Sequence, residues 1–247
     1  MKTYEHWQLE HWADCHIPWI VFNGIHSFND MSCSLEEELS ERQAMKIVES
    51  LKVPGRNGRL HRTFGDYDAF EFPVELQLLK FEQLAEVKKW LRGAGQLVVH
   101  TDPDKYREVT IIESSNVRPY VNEMNTYWKF TVTFECAPFK RTLRNQQIIL
   151  AKDSHTYIDP GDEKAAPFFS INSSGGDIRL VVNNQTFTLK NTKKGMVEVD
   201  CEKKLVTQDH SFVKNEGDFP IIQPGENKIQ VSGNLEQSIF DPRSVWL

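Results

Sequence analysis

The stretch that decides the fold is Trp128-Lys129-Phe130-Thr131-Val132-Thr133-Phe134-Glu135-Cys136, in which every even position is apolar and every odd position is polar. Successive side chains of a β-strand point to opposite faces, so this alternation predicts a strand with one buried face and one open face. The open face should carry the two threonines. The buried face should carry the large apolar residues of the stretch, Trp128, Phe130, Val132 and Phe134.

The same alternation recurs along the chain. Residues 70–78 repeat it, and Pro73, which has no N–H to donate, marks an edge or a bulge at that point. Short strands at this spacing are typical of sandwiches and barrels, so the sequence predicts an all-β fold. The other predicted strands are residues 17–23, 97–100, 108–113, 177–183, 185–189, 196–201 and 228–232.

One helix is predicted over residues 81–92, where apolar residues recur at helical spacing and Gly93 stands at the expected stop. Residues 36–53 are rich in Glu, Lys, Gln and Ala, which favours helix locally. The later half alternates, however, and we predict a strand over residues 44–53. It leads into Pro54-Gly55-Arg56-Asn57-Gly58, which lacks the Lys-Ser/Thr ending of a phosphate-binding loop and predicts a tight hairpin turn.

A domain boundary is predicted just after Cys136-Ala137-Pro138-Phe139. Five of the six tryptophans precede it, whereas the second half is rich in Asn and Gly between short apolar runs, as at residues 172–176. We therefore expect two all-β domains, residues 1–140 and 141–247.

The charge balance is acidic, with 29 basic and 35 acidic residues and a net charge of −6. Proteins that grip nucleic acid usually carry a basic excess, so we expect no specific nucleic-acid binding. No apolar run approaches the length of a membrane span, and no secretory signal is expected. Four scattered cysteines predict neither a disulfide scaffold nor a paired zinc site.

Two clusters invite a chemical interpretation. His6, His11, Cys15 and His16 resemble metal ligands, but three tryptophans are interleaved with them, which favours an amphipathic leader packed on a neighbour. His100-Thr101-Asp102-Pro103-Asp104 holds an imidazole and two carboxylates, but Asp-Pro-Asp after a strand is ordinary turn chemistry. With no nucleophile elbow and no His-Glu-x-x-His pair, we expect no enzyme, no metal and no cofactor.

Several short motifs, in order, resemble the distal tail protein (Dit) family of long, non-contractile-tailed phages. The resemblance covers nearly the whole chain from about residue 20. The motifs are Phe22-Asn23-Gly24-Ile25-His26-Ser27, Val53-Pro54-Gly55-Arg56-Asn57-Gly58, Trp90-Leu91 with Gly93 and Gly95, Phe134-Glu135-Cys136-Ala137-Pro138-Phe139-Lys140, Val199-Asp200-Cys201, Gly217-Asp218-Phe219-Pro220 and Pro224-Gly225-Glu226-Asn227.

The resemblance implies an N-terminal ring-forming β domain and a C-terminal galectin-like β-sandwich. It implies a structural virion protein of the phage tail, made in the host cytoplasm, whose homo-hexameric ring joins the tail tube protein to the tail-tip or baseplate proteins of host adsorption. A belt hairpin over about residues 36–66 would wrap the neighbouring subunit. Its expected contact residues are Met45, Ile47, Leu51, Val53, Pro54, Gly55, Arg56, Asn57 and Gly58.

Two other functions remain open at this stage. The first is a carbohydrate-binding module contacting the host cell wall, for which Tyr157 and Trp246 are the candidate aromatic residues of the second half. The second is a cell-wall hydrolase, which would need two carboxyl groups at a defined separation.

An acidic chain is also compatible with a ring through whose bore DNA passes, since like charges discourage sticking.

Overall fold

The computed structural model describes residues 17–112, 118–144, 146–150 and 154–247. The chain consists mainly of antiparallel β-strands with one short α-helix, and this confirms the all-β prediction. It divides into two compact units, and the division falls between Leu143 and Arg144.

The first unit is one main sheet with a helix and a separate hairpin. The sheet order is β2-β1-β7-β8-β10-β6-β3, with β9 paired to β10, while β4 and β5 pair only with each other. A 3₁₀ turn, Phe81–Gln83, leads into the helix α1, Leu84–Trp90. The strands are β1 Ile20–Phe22, β2 Ile25–His26, β3 Cys33–Leu35, β4 Glu49–Leu51, β5 Leu60–Arg62, β6 Phe70–Leu78, β7 Ala94–Val99, β8 Lys105–Ile111, β9 Val121–Glu123 and β10 Tyr127–Thr142.

The pairing of β6 with β10 forms the centre of this unit. The two strands run in unbroken register from Leu78 opposite Trp128 to Phe70 opposite Cys136. Phe130, Val132 and Phe134 are buried, while Thr131 is exposed and Thr133 half-buried, which confirms the predicted faces.

Two residues of this pair qualify the prediction. Trp128 lies on the predicted face but is only half-buried, because it sits at the end of the paired stretch, where it packs against Phe81 with ring centroids 5.5 Å apart. Pro73 has a strand on one side only, since β3 reaches no further along β6 than Leu76, and this is the edge position that the missing N–H requires.

The helix is shorter than predicted. Only residues 84–90 are α-helical within the predicted 81–92, because the first turn is 3₁₀ and the chain leaves the helix before Gly93, whose φ of +74° suits a residue without a side chain. Val87, Trp90 and Leu91 are buried against the sheet. The Trp90 indole N–H donates a 3.0 Å hydrogen bond to the carbonyl of Phe22 and so fixes the helix to β1.

The second unit is also a single antiparallel system with order β11-β18-β13-β14-β15-β16, in which β12 pairs with β18 and β17 with β14. Its interior holds the alternate apolar residues of the long strands, such as Phe169, Leu180, Phe187, Val231 and Phe240. The strands of this sheet are β11 Ile148–Leu150, β12 His155–Asp159, β13 Phe168–Val182, β14 Gln185–Asp200, β15 Leu205–Gln208, β16 Ser211–Phe212, β17 Asn215–Glu216 and β18 Gly225–Asp241. A last short strand, β19 Val245–Trp246, is not part of this sheet.

The long strands correct the predicted series of short ones. Residues 172–176, expected between strands, lie inside β13, and the predicted strands 185–189 and 196–201 are parts of β14. Gly176, Gly195 and Gly233 have positive φ, and the register of β13 shifts next to Gly176 and just before the pair of Ile178 with Gly233. A Cβ on Gly233 would lie 2.4 Å from the Asp177 carbonyl oxygen. The strands therefore continue through a polar, glycine-rich stretch, although its composition predicts that a strand ends there.

Candidate assembly arm

The predicted arm is a β-hairpin that stands apart from the main sheet. Glu49 pairs with Arg62, Ser50 with His61 and Leu51 with Leu60, and a single bridge joins Lys46 to Tyr67 nearer the body. We call residues 45–66 the arm. The strand predicted over residues 44–53 is wrong in extent, because regular pairing on that side covers only Glu49–Leu51 and the lone bridge.

The reversal of the arm includes the predicted position, but the predicted tight turn is too short, because the paired strands end at Leu51 and begin again only at Leu60. Residues 52–59 form the loop between them, and within it the Arg56 N–H donates a 3.2 Å hydrogen bond to the Val53 carbonyl. Gly55 and Gly58 have φ of +80° and +84°. Residues with a Cβ are disfavoured in that region, so the two glycines set the reversal of the chain.

Every residue of the arm is exposed, including its large apolar side chains. Met45 is 79% exposed and Phe64 63%, and the five others lie between 40% and 50%. These five are Ile47, Val48, Leu51, Val53 and Leu60. Large apolar side chains that are exposed together are typical of interaction sites. The predicted contact residues thus lie on one hairpin, and Val48, Leu60 and Phe64 join them.

The segment before the arm is fastened to its own sheet. The Lys129 Nζ lies 2.6 Å from a Glu36 carboxylate oxygen, and the Arg42 guanidinium donates a 2.9 Å hydrogen bond to the Glu71 carbonyl. Lys140 pairs with both Glu41 and Asp102. These contacts hold residues 36–42 along β6 and β10, so the free part of the predicted arm begins only after them.

The Arg107 side chain joins the segment before the arm to an irregular part of β10 by hydrogen bonds. The register between β8 and β10 shifts between Cys136 and Lys140, which leaves backbone groups without ladder partners. The buried Arg107 guanidinium donates to the carbonyls of Ala137 and Pro138, and also at 3.3 Å to the carbonyl of Arg42. Sequence reasoning missed this residue, although a charged side chain on the inward parity of β8, in line with Val109 and Ile111, was a usable signal.

The ion pairs that hold residues 36–42 to the sheet also lower the pKa values of two carboxyl groups. The hydrogen bond from Lys129 lowers the pKa of Glu36. Burial acts to raise the pKa of Asp102, but hydrogen bonds from Lys105 and Lys140 outweigh it and leave that pKa below its usual value. Both groups are therefore held as carboxylates at neutral pH. In the predicted turn at residues 100–104, Asp102 and Asp104 thus pair with Lys105, and Asp102 also pairs with Lys140.

The remaining candidates are metal-ligating side chains, reactive thiols and a membrane-spanning helix. In the described ranges no three His, Cys, Asp or Glu side chains are grouped as a metal ion would require, and the cluster His6, His11, Cys15 and His16 lies outside them. Burial raises the pKa of Cys33 to about 12, of Cys136 to about 11 and of Cys201 to about 12, so these thiols stay protonated. The described part of the chain contains no helix with the length and apolar character of a membrane span.

The two aromatic residues considered for sugar binding are engaged within the second unit. The Tyr157 hydroxyl bonds to Asp159 and Ser244, and its ring packs edge-on against Phe240. The Trp246 indole N–H donates a 3.1 Å hydrogen bond to the carbonyl of Pro160. Both side chains are half-buried.

The fold of this chain matches solved structures, although its sequence matches no known family. No protein-family model matches the sequence, and no curated protein sequence matches it. The crystal structure of the Dit protein of phage SPP1, a paradigm of the hub adsorption apparatus in phages that infect Gram-positive bacteria, superposes with a TM-score of 0.72. The match covers 94% of this chain and 100% of that one at 10% identity. The chain has the fold of a phage distal tail protein.

Two structures of the phage p2 baseplate in its activated conformation also match. The one with strontium has a TM-score of 0.49 at 11% identity, over 91% of this chain and 96% of that one. The one with calcium has a TM-score of 0.45 at 8% identity, over 91% and 97%.

Proposed function

We propose that this chain is a structural virion protein: the distal tail connector of a phage with a long, non-contractile tail. Six copies would form a ring that joins the tail tube protein to the tail-tip or baseplate proteins of host adsorption. The observation that carries the proposal is the likeness to the SPP1 Dit protein, which extends over essentially both whole chains. The protein would be made in the host cytoplasm and would act in the virion tail, with no catalytic step.

The two units would divide this work. The first, which carries the arm, would form the ring, and the second would be a galectin-like β-sandwich. The ordered sheet with a protruding hairpin supports the first assignment, and the three long paired strands support the second.

The arm would be the element that joins subunits. An isolated two-stranded hairpin is marginal in water, and this one exposes seven large apolar side chains that its own sheet does not cover. Packing them on an adjacent subunit would remove that surface from water and stabilise the hairpin at the same time.

The solution mass of the purified full chain tests the proposal. Sedimentation equilibrium at micromolar concentration should give about six times the chain mass of 28.7 kDa. A mass of one chain at every concentration would overturn the self-assembling ring. A glycan array on the full chain tests the carbohydrate-binding alternative, and we expect no bound sugar.

A further inference from the structure

The outer part of the arm has a charge opposite to that of the chain as a whole. Residues 50–65 contain four basic residues and no acidic one, whereas the whole chain has a net charge of −6. Arg62 lies over the Phe64 ring at 4.4 Å, and Lys52, Arg56 and Arg59 have no acidic partner in the described part of the chain. We call residues 50–65 the arm tip. It is a protruding surface that is both basic and apolar.

The open face of the main sheet has the opposite character. Glu71 on β6 stands directly opposite Glu135 on β10, and Glu108 lies on the neighbouring strand β8. All three are exposed, and none has a basic partner among the described residues. Like charges placed directly across an antiparallel pair are destabilising, so this arrangement opposes the stability of the free subunit. A cationic partner would remove that repulsion.

The shape of the face leaves room for such a partner. Glu108 and Glu135 border a concavity whose floor contains small residues, Ala69, Ala94, Gly95 and Ala137. A lysine on the same face, Lys129, is already engaged by Glu36 and by Glu75 at 3.6 Å. We call the surface formed by Glu71, Glu108 and Glu135 with the small residues the acidic face. Its three carboxylates are therefore exposed beside a concavity lined by small side chains.

We propose that the arm tip of one copy docks on the acidic face of a second copy. The inference rests on the proposed function, since it identifies the surface that the arm meets in the ring. The two surfaces are complementary in charge, because each copy carries both a basic, apolar arm tip and an acidic face, and the tip residues are exposed on their own subunit. The two surfaces are different, so the contact is head-to-tail, and such a contact closes into a ring when its rotation permits.

A charge exchange tests the docking directly. The tip variant carries Arg56→Glu and Arg59→Glu, and the face variant carries Glu71→Arg and Glu135→Arg. Each variant alone should associate at least roughly a hundredfold more weakly than the wild type, because the tip variant has no net positive charge left on its tip and the face variant no longer has a negative face. An equimolar mixture of the two should assemble better than either variant alone, because the new glutamates of one tip can pair with the new arginines of the other variant's face, and the unchanged tip with the unchanged face.

Matched controls separate this effect from a general change of charge. Lys193→Glu with Lys194→Glu changes exposed residues of β14, and Glu82→Arg with Glu86→Arg changes exposed residues at the helix. Each control alters the net charge as much as the variant that it matches, and both should assemble as the wild type does. Circular dichroism of all four variants should show the wild-type β spectrum.

The outcomes distinguish the docking from the ring. If the single variants assemble like the wild type, or if the mixture stays dissociated, the two surfaces do not meet and the docking is wrong even where the wild type is hexameric. If the wild type instead forms open oligomers of varied length that obey the charge exchange, the docking stands and the hexameric ring is wrong. Loss of duplex DNA binding in the tip variant with unchanged assembly would assign the tip to nucleic acid and overturn the proposal.

Discussion

Two antiparallel strand pairs of the first unit differ in the burial of their side chains. The pair β6 and β10 aligns nine residues on each strand and buries the apolar face of both. The pair β4 and β5 aligns three on each strand, and all of its side chains are exposed. Alternation of apolar and polar residues occurs in both segments. The alternating pattern therefore predicts a strand with an apolar face. It does not predict whether that face is buried by the same chain or left exposed.

A matched pair of phenylalanine substitutions measures this difference in the free energy of unfolding. Phe130→Ala removes a buried ring from the centre of the sheet and should lower that free energy by about 3–5 kcal/mol. Phe64→Ala removes an exposed ring from the arm and should change it by less than about 0.5 kcal/mol. Urea denaturation of the two variants under conditions that keep the chain monomeric measures both. Equal losses would show that the arm belongs to its own subunit's core.

The same contrast should appear in the dependence of stability on pH. His26 is buried beside Trp19, and its Nδ1 accepts 3.1 Å hydrogen bonds from the N–H groups of Phe28 and Asn29. Burial lowers the pKa of His26 to about 4, against a smaller opposing effect of Asp30. Because the folded pKa lies below the unfolded value of 6.5, protonation favours the unfolded chain, and stability present above about pH 6.5 is lost as the pH falls towards 4.

The expected loss between about pH 7 and about pH 5 is about 2 kcal/mol. His26→Asn, which keeps an acceptor but does not titrate, should flatten that part of the stability–pH profile. His61→Asn on the exposed arm is the matched control and should leave the slope as it is. An unchanged slope in His26→Asn would contradict the assignment of this pH dependence to the buried imidazole.

The sequence predicted those elements whose local pattern and tertiary environment agree. The strands β6 and β10 with their buried and open faces, and the position of the helix, follow from alternation and helical spacing. The hairpin of β1 and β2 was not predicted, although Asn23 and Gly24, with φ of 53° and 73°, form its two-residue loop and were a usable signal.

The misses have a common physical cause, which is that distant partners override local composition. The polar residues 172–176 continue β13 because β14 and β18 flank it there, and nothing within the segment itself indicates those neighbours. Arg107 could be noticed as a charge on an inward position, but its acceptors belong to β10 and to the segment before the arm, which sequence spacing does not bring together. The acidic face likewise exists only through the register that sets Glu71 beside Glu135.

The most direct test of the account separates assembly from folding in one protein. Replacing residues 47–66 with a four-residue Gly/Ser turn removes the exposed hairpin but keeps the bridge between Lys46 and Tyr67 and the anchors of residues 36–42. The account predicts a wild-type β signal by circular dichroism together with the mass of a single chain by sedimentation equilibrium, where the full chain is a hexamer. A shortened chain that still forms the hexamer, or one that unfolds, would contradict the claim that the arm serves assembly alone.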